Sequence, residues 1–495
     1  MRYFSTRDKS LSFSAAEAVK QGLSRDGGLF LPEKIPQITA GKLAAMCAMT
    51  YQERAAEVMK LFLDDYSEKE LAAFAAAAYS REKFDSPAVA PVRAVDDRTY
   101  CLELWHGPTS AFKDMALQML PHLLSASLDK TGETRTACIL VATSGDTGKA
   151  ALEGFRDVPR TKILVFYPRD GVSEIQKLQM VTQEGNNVGV CSVVGNFDDA
   201  QTGVKRIFSD EGIRKTLSGR GYFLSSANSI NWGRVLPQIV YYVSAWCDLR
   251  RDGRIGDGDR LTVCVPTGNF GNILSAYYAK LMGVPIGKLV CASNRNDVLT
   301  EFLRTGVYNR NRPFHTTMSP SMDILISSNL ERLLFLLSGG NDAEVGSYMD
   351  SLASTGMYKV SDEMMAKIKE LFWAGSCGEE GTSAAINEYY TKHDYLIDPH
   401  TAVAANVLGQ YRAETGDGGK AVFASTASPY KFCGSVLRSI GVEPEGDGVG
   451  LIAQMQRVTG VKAPERLAAL GGKERRFSGS TEKQDMDKVV LDALR

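Results

Sequence analysis

From about residue 97 the chain alternates short β-rich runs with helical ones. Thr136 to Val141 leads to a helix through Ala150, Ala151 and Leu152, and Ile163 to Phe166 to one from Ser173 to about Val181. Val188 to Val194 leads to a helix from about Asp198 to Phe208, and Leu261 to Val265 to one from about Ile273 to Leu281. A strand that returns parallel to its predecessor needs a crossover of a dozen or more residues, usually a helix. The pattern therefore predicts βαβ units, an α/β fold with a parallel sheet covered on both faces. In open sheets of this kind ligands bind beyond the carboxyl ends of the strands. The loops that follow the strands are where chemistry is expected.

The first 85 or so residues read as helical. Ser67-Glu68-Lys69-Glu70 has capping-box spacing ahead of the alanine-rich run Leu71 to Tyr79, which predicts a closely packed helix that carries no chemistry. Asp85-Ser86-Pro87 and Ala90-Pro91 then break the periodicity and place a domain boundary near residue 90. With 495 residues, 44% of them hydrophobic, the chain can bury more than one core.

Lysine and arginine (57) balance aspartate and glutamate (58), so no global field draws the chain to nucleic acid or to an acidic membrane. A small anion remains possible, because it needs only a local site. No apolar run reaches the roughly 18 residues of a membrane span, and Met1 to Asp8 has no apolar signal core. None of the nine cysteines forms a C-x-x-C pair, and most lie in apolar runs such as Thr262-Val263-Cys264-Val265. They predict buried reduced thiols in a cytoplasmic protein. The five histidines show no ligand spacing, so no metal is expected.

The run Trp105-His106-Gly107-Pro108-Thr109-Ser110-Ala111-Phe112-Lys113-Asp114 sets one lysine behind a hydroxyl-rich turn and ahead of the apolar stretch Met115 to Leu120. Partial desolvation favours the neutral amine, which can attack a carbonyl and form a Schiff base. The plainer alternative is a surface lysine in a first helical turn. What separates the two is whether the chain also holds a partner carbonyl.

Strand Leu261 to Val265 runs into Pro266-Thr267-Gly268-Asn269-Phe270-Gly271-Asn272 before a helix. Two glycines let backbone N–H groups converge, and the helix N-terminus adds partial positive charge, so the turn suits a phosphate without Lys or Arg. It has neither Walker nor dinucleotide spacing, which argues against NAD. Gly195-Asn196-Phe197-Asp198-Asp199 shows how little a fragment of this motif means. Its two carboxylates would repel a phosphate, and it reads as a helix cap. Thr143-Ser144-Gly145-Asp146-Thr147-Gly148 also joins a strand to a helix. It suits either a carboxylate or ring oxygen, or an ordinary N-cap made by Asp146 or Thr147.

A Schiff-base lysine, a neutral phosphate cradle and a second anion loop together suggest pyridoxal phosphate. These segments resemble the threonine synthase family. His106 to Asp114 is similar to its cofactor-lysine motif, Thr143 to Gly148 to its S-G-D-T-G loop, and Gly268 to Asn272 to its G-N-F-G-N loop. Ser425-Thr426-Ala427-Ser428-Pro429-Tyr430-Lys431-Phe432 resembles the segment near the pyridine nitrogen. Tyr3, Ser5-Thr6-Arg7 and Gly22 to Phe30 resemble the start of the longer bacterial and fungal type. The motifs occur in family order and span nearly the whole chain.

The resemblance implies a fold-type II pyridoxal 5'-phosphate enzyme with two open parallel-sheet lobes and a helical N-terminal domain. Residues 1–90 would form that domain and 91–440 the catalytic core, with the smaller lobe at about 132–215. Residues 441–495 would be a helical extension packing on the core. Lys113 would carry the cofactor and later move protons on the substrate. Gly268, Asn269, Phe270, Gly271 and Asn272 would hold its phosphate, and Thr426 would face the ring nitrogen as a neutral partner that tunes the electron sink.

The implied substrate is O-phospho-L-homoserine, converted with water to L-threonine and phosphate, the last step of threonine biosynthesis. Its own phosphate requires a second anion site. Ser225 to Arg234 is the candidate, with Arg234 offering two-point charge; a structural ion pair is an equal alternative for that arginine. Thr109, Ser110, Ser144, Asp146, Thr147, Asn228, Ser229, Asn231 and Arg234 are the residues expected around the substrate. Asn294 to Asp297 is a weaker candidate for the pocket wall, and His106 reads as a structural histidine. One departure stands out: Ser428 occupies a position where the family often has histidine, which puts specificity in question. The alternatives are a phospho-lyase of related lineage and a catalytically silent relative, against which the intact Lys113, Asp146 and Gly268–Asn272 argue. The chain is expected to be a monomer or homodimer without nucleic-acid or membrane partners.

Overall fold

A computed structural model of the protein describes residues 1–170 and 172–495, apart from the side chain of Asp198. The strand–helix alternation forms two sheets. The larger runs in the order Phe372–Ser376, Ile286–Ser293, Leu261–Pro266, Ala421–Ser425, Thr99–Glu103, Val92–Ala94, parallel except for the last strand. The smaller is parallel throughout: Ser480–Glu482, Val188–Val194, Thr161–Pro168, Thr136–Ala142, Tyr222–Ser225. Central strands such as Leu261–Pro266 are buried at every position, as helices on both faces require.

Three expectations need correction. The N-terminal region is not purely helical. Its helices Ala15–Gln21, Ala40–Met46, Tyr51–Lys60 and Glu68–Ala78 accompany an antiparallel sheet of Tyr3–Ser5, Ser12–Phe13 and Phe30–Pro32. These strands are two or three residues long, too short for alternation to register. The smaller lobe does not end near 215, because Tyr222–Ser225 pairs with Thr136–Ala142. Nor are residues 441–495 a purely helical extension. Ser480–Glu482 adds a strand beside Val188–Val194, and the helix Met486–Ala493 contributes Met486 and Val490 to the small-lobe core. That strand is largely exposed and without apolar alternation, so nothing in its sequence announced it.

The helix Trp232–Arg251 is buried from Trp232 through Leu249. Trp232 packs edge-on against Tyr3 of the N-terminal sheet and Tyr278 of the core. Arg54 of the N-terminal domain reaches Asp248 at 2.7 Å. A helix apolar on nearly every side belongs in an interior, and two of its buried polar residues, Arg234 and Gln238, face the cavity described next.

Candidate active site

Thr143, Thr267 and Thr426 each follow the carboxyl end of a strand, and all three line one cavity of about 1420 Å³. Lys113, Ser144, Asp146, Thr147, Asn228, Ser229, Arg234, Gly268, Asn269, Phe270, Gly271 and Asn272 also line it. Two parallel sheets thus aim their loops at one space, as open α/β architecture favours.

The lysine loop is built by its own carboxylate. Asp114, fully buried, accepts from the Thr109 backbone N–H and hydroxyl, both at 2.8 Å. Gly107 is required here, because a Cβ would lie 2.6 Å from Asp114. Phe112 N–H donates to the Thr426 carbonyl at 2.8 Å and Ser428 N–H to the Ser110 carbonyl at 3.0 Å, which pins Lys113 beside the end of the Ala421–Ser425 strand. Thr109 and Ser110 were expected at the substrate. Neither lines the cavity: the Thr109 hydroxyl is consumed by Asp114, and Ser110 is buried in a left-handed turn at φ 57°.

Lys113 is 9% exposed, with Nζ 3.7 Å from Asp146 Oδ2 and 3.4 Å from Ser321 Oγ. Burial lowers its pKa to about 8; Asp146 pulls it up, while Lys431 and Arg234 push it further down. Burial would raise the Asp146 carboxyl, but Lys431 and Lys113 outweigh burial and hold it well below the usual carboxylate range. Lys431 lies 2.6 Å from Asp146 Oδ1 and donates to the Thr109 carbonyl at 3.0 Å. Gln176 Nε2 donates to the same carboxylate at 2.8 Å. The cap on the following helix is neither Asp146 nor Thr147. Thr143 Oγ1 accepts from Gly145 and Gly148 N–H at 2.9 Å each, which frees Ser144 and Thr147 to line the cavity.

In the turn Gly268–Asn272, a Cβ on Gly268 would lie 2.7 Å from the Ser321 carbonyl, so the turn admits no side chain there. Phe270 takes a left-handed φ of 61° and starts the helix Gly271–Leu281. Asn329 holds the Asn269 carbonyl from its N–H at 3.1 Å and its Nδ2 at 3.0 Å. Asn272 Nδ2 is buried without a partner. The comparison turn at Gly195 is a helix cap as expected, with Asn196 and Asp199 forming a capping box; the side chain of Asp198 lies outside the described residues.

Arg234 is 2% exposed. It donates to the Ala227 carbonyl at 2.5 Å, its Nε has no partner, and no carboxylate pairs with it among the described residues. Burial without a counter-ion lowers its pKa to about 10. The ion-pair alternative is therefore not what the structure contains. Asn228 and Ser229 line the cavity beside it. Asn231 does not: it caps the helix through Gly233 N–H at 2.9 Å and ties Val19 and Ser226 with Nδ2.

Other expectations resolve in the same way. Asn294 and Asn296 are not on the cavity wall; they hold the loop at His315 to Asp323 that carries Ser321. Ser428 is 1% exposed, caps a short 3-10 turn and does not line the cavity. His106 sits between Asp85 at 2.6 Å and Glu103 at 2.8 Å. Burial opposes its charge, but the two carboxylates raise its pKa to about 9. Sequence reasoning missed Ser321 and His400, whose Nε2 accepts the Ser321 N–H at 3.1 Å while Nδ1 meets Asp398 at 2.8 Å. Pro399 at a helix start after Asp398 was the available signal, but it pointed to a cap and not to a site. It also gave Lys431 no role, although a lysine between tyrosine and phenylalanine is unusual enough to need a buried partner.

Comparison with known proteins matches residues 2–79 to "Threonine synthase N terminus" and residues 84–427 to "Pyridoxal-phosphate dependent enzyme". A threonine synthase from Pseudomonas aeruginosa is 39% identical over 90% of this chain and 92% of its own length. The chain belongs to the threonine synthase family. A solved structure in this family, described as PLP-bound threonine synthase from Brucella melitensis, superposes with a TM-score of 0.88 at 36% identity, covering all of both chains. Human "Threonine synthase-like 1" is 41% identical over 86% of this chain, but the match spans only 58% of the human protein's length.

Proposed function

We propose that this chain is a threonine synthase that converts O-phospho-L-homoserine and water to L-threonine and phosphate with pyridoxal 5'-phosphate as cofactor. The observation that carries this reading is Arg234: a buried cation without a carboxylate partner, in one cavity with Lys113 and the glycine turn. The glycine turn suits a cofactor phosphate and the hydroxyls at Thr143, Ser144 and Thr147 suit a substrate carboxylate, so a further buried cation is what a phosphate carried by the substrate would use. The residues fit the cofactor. The Gly268 turn leaves no room for a side chain, and Asn272 holds an idle buried donor at a helix N-terminus. Lys113 would bind its carbonyl carbon, Gly268 to Asn272 its phosphate and Thr426 its ring nitrogen. When bound, it supplies an electron sink for charge developing on substrate carbons.

Lys113 is the group in the cavity placed to act as the base. With a pKa of about 8, its neutral form would take one proton from Cα and one from Cβ and give them back at Cγ and Cα. Asp146, fixed by Lys431 and Gln176, stays ionised and steadies the Lys113 ammonium between transfers. Arg234 would balance the phosphate as it leaves Cγ, and water would put its hydroxyl on Cβ and pass its proton to the released phosphate. Ser144, Thr147, Asn228 and Ser229 surround the rest of the substrate. The net charge of −1 and the small-molecule cavity suit an enzyme acting without nucleic acid or membrane. Among the described residues no helix is long and apolar enough to cross a membrane. The nine unpaired cysteines, eight of them buried, favour a reducing cytoplasmic setting.

Given O-phospho-L-homoserine, the purified chain should release phosphate and threonine in equal amounts. Phosphate accompanied by 2-oxobutyrate would make it a phospho-lyase, and no release at all would sink both readings. Lys113→Ala should abolish the visible absorbance of bound cofactor and slow turnover by at least about 10²–10⁴-fold.

A further inference from the structure

Behind the glycine turn, on the buried helix Trp232–Arg251, stand two tyrosines. Tyr241 and Tyr242 are 0% and 2% exposed, and both donate to Asn272 Oδ1, at 2.8 and 2.5 Å. An amide oxygen has two lone pairs, and here both are used. The other end of the amide, Nδ2, is buried and without a partner, on a residue that lines the cavity.

The reverse orientation is the poorer one. With the amide turned over, Tyr241 could still donate to Gln238 Oε1 at 3.1 Å and accept from Nδ2. Tyr242 has no other acceptor among the described residues, so its proton would be stranded. The amide oxygen would also take the place of the partnerless Nδ2 beside the helix N-terminus, where partial positive charge favours an anion. Two hydroxyl donors therefore select the orientation with NH₂ turned away from the tyrosines.

We propose that Tyr241 and Tyr242 are positioning residues for the cofactor phosphate, holding the Asn272 amide with its NH₂ toward the anion. This rests on reading Gly268–Asn272 as the phosphate turn. Neither tyrosine touches the anion; each acts through Asn272. The pair thus turns a side chain that can either donate or accept into one that only donates.

The test uses the full chain freed of cofactor and titrated separately with pyridoxal 5'-phosphate and with pyridoxal, followed by visible absorbance. In the unaltered chain the phosphorylated form should bind much more tightly. Tyr242→Phe and the double variant Y241F/Y242F keep the rings and should weaken pyridoxal 5'-phosphate binding by roughly 10- to 100-fold, the range for a hydrogen bond to a charged group. Pyridoxal binding should change by less than about twofold, the size of a change that leaves the phosphate contact alone. An equal loss for both ligands would mean the tyrosines only support the fold, and the proposal falls. Unchanged binding of both overturns it as well. If the unaltered chain shows no preference for the phosphorylated form, the turn itself has been misread and the proposal falls with it. Should the double variant fail to fold, Tyr242→Phe alone decides, because Tyr242 has the single acceptor.

Discussion

Lys113 is set between opposing charges, and each neighbour makes a directional prediction. In the cofactor-free chain its labelling by an amine reagent should have a midpoint near pH 8, against about 10.4 for an ordinary lysine. Asp146→Asn removes a charge that raises the pKa and should move the midpoint down. Lys431→Met removes one that lowers it and should move it up; peptide mass spectrometry reads both. Arg234→Met separates function from stability. Losing a charged contact to the substrate phosphate should cut kcat/KM by roughly 10- to 100-fold. Replacing a buried, unpaired cation with an apolar side chain should raise the thermal midpoint of the cofactor-free chain. A fall in both would mean that Arg234 is structural. At this scale, residues that the sequence joined in motifs come together in space: Lys113 and Gly268–Asn272 line one cavity. It misled where only residue type spoke. Thr109 and Thr143 are both hydroxyls in turns, yet the first is held by Asp114 in its own loop and the second accepts from backbone N–H groups at the start of a helix. Which way a hydroxyl turns depends on partners distant in sequence.

His106 joins the end of the strand Thr99–Glu103 to the segment before it, through Glu103 and Asp85. Its folded pKa of about 9 lies above the unfolded value near 6.5. The stabilisation is therefore full below about pH 6.5 and is lost as pH rises through about 9. His106→Gln should flatten the pH dependence of denaturant midpoints across that window and leave a smaller stability difference between pH 6 and pH 9.5. Elements with a clear period were readable to within a few residues: Val188–Val194 and the helix at Glu174–Val181 are examples. The three-residue strands were not, because pairing with a distant neighbour and not local alternation makes them strands.

Across the whole molecule, the helix Trp232–Arg251 joins the N-terminal domain, the large lobe and the site, carrying Arg234, Tyr241 and Tyr242 inward while Asp248 holds Arg54. The small lobe depends likewise on residues far away. Met486→Ala should cost about 2–4 kcal/mol by leaving a cavity against Gly203, and should lower hydrogen-exchange protection in Val188–Val194 more than in Leu261–Pro266. Equal loss in both would show that the two lobes unfold as one unit. The separation in sequence also sets a clock. Ser192 bonds the Gly479 carbonyl across 287 residues. At about 5–20 residues per second of synthesis, the edge of the small sheet waits roughly 15 to 60 s for its partner strand. During that interval the exposed side of Val188–Val194 is open to any other strand in the cell, and a chaperone that shields it has a defined period in which to act.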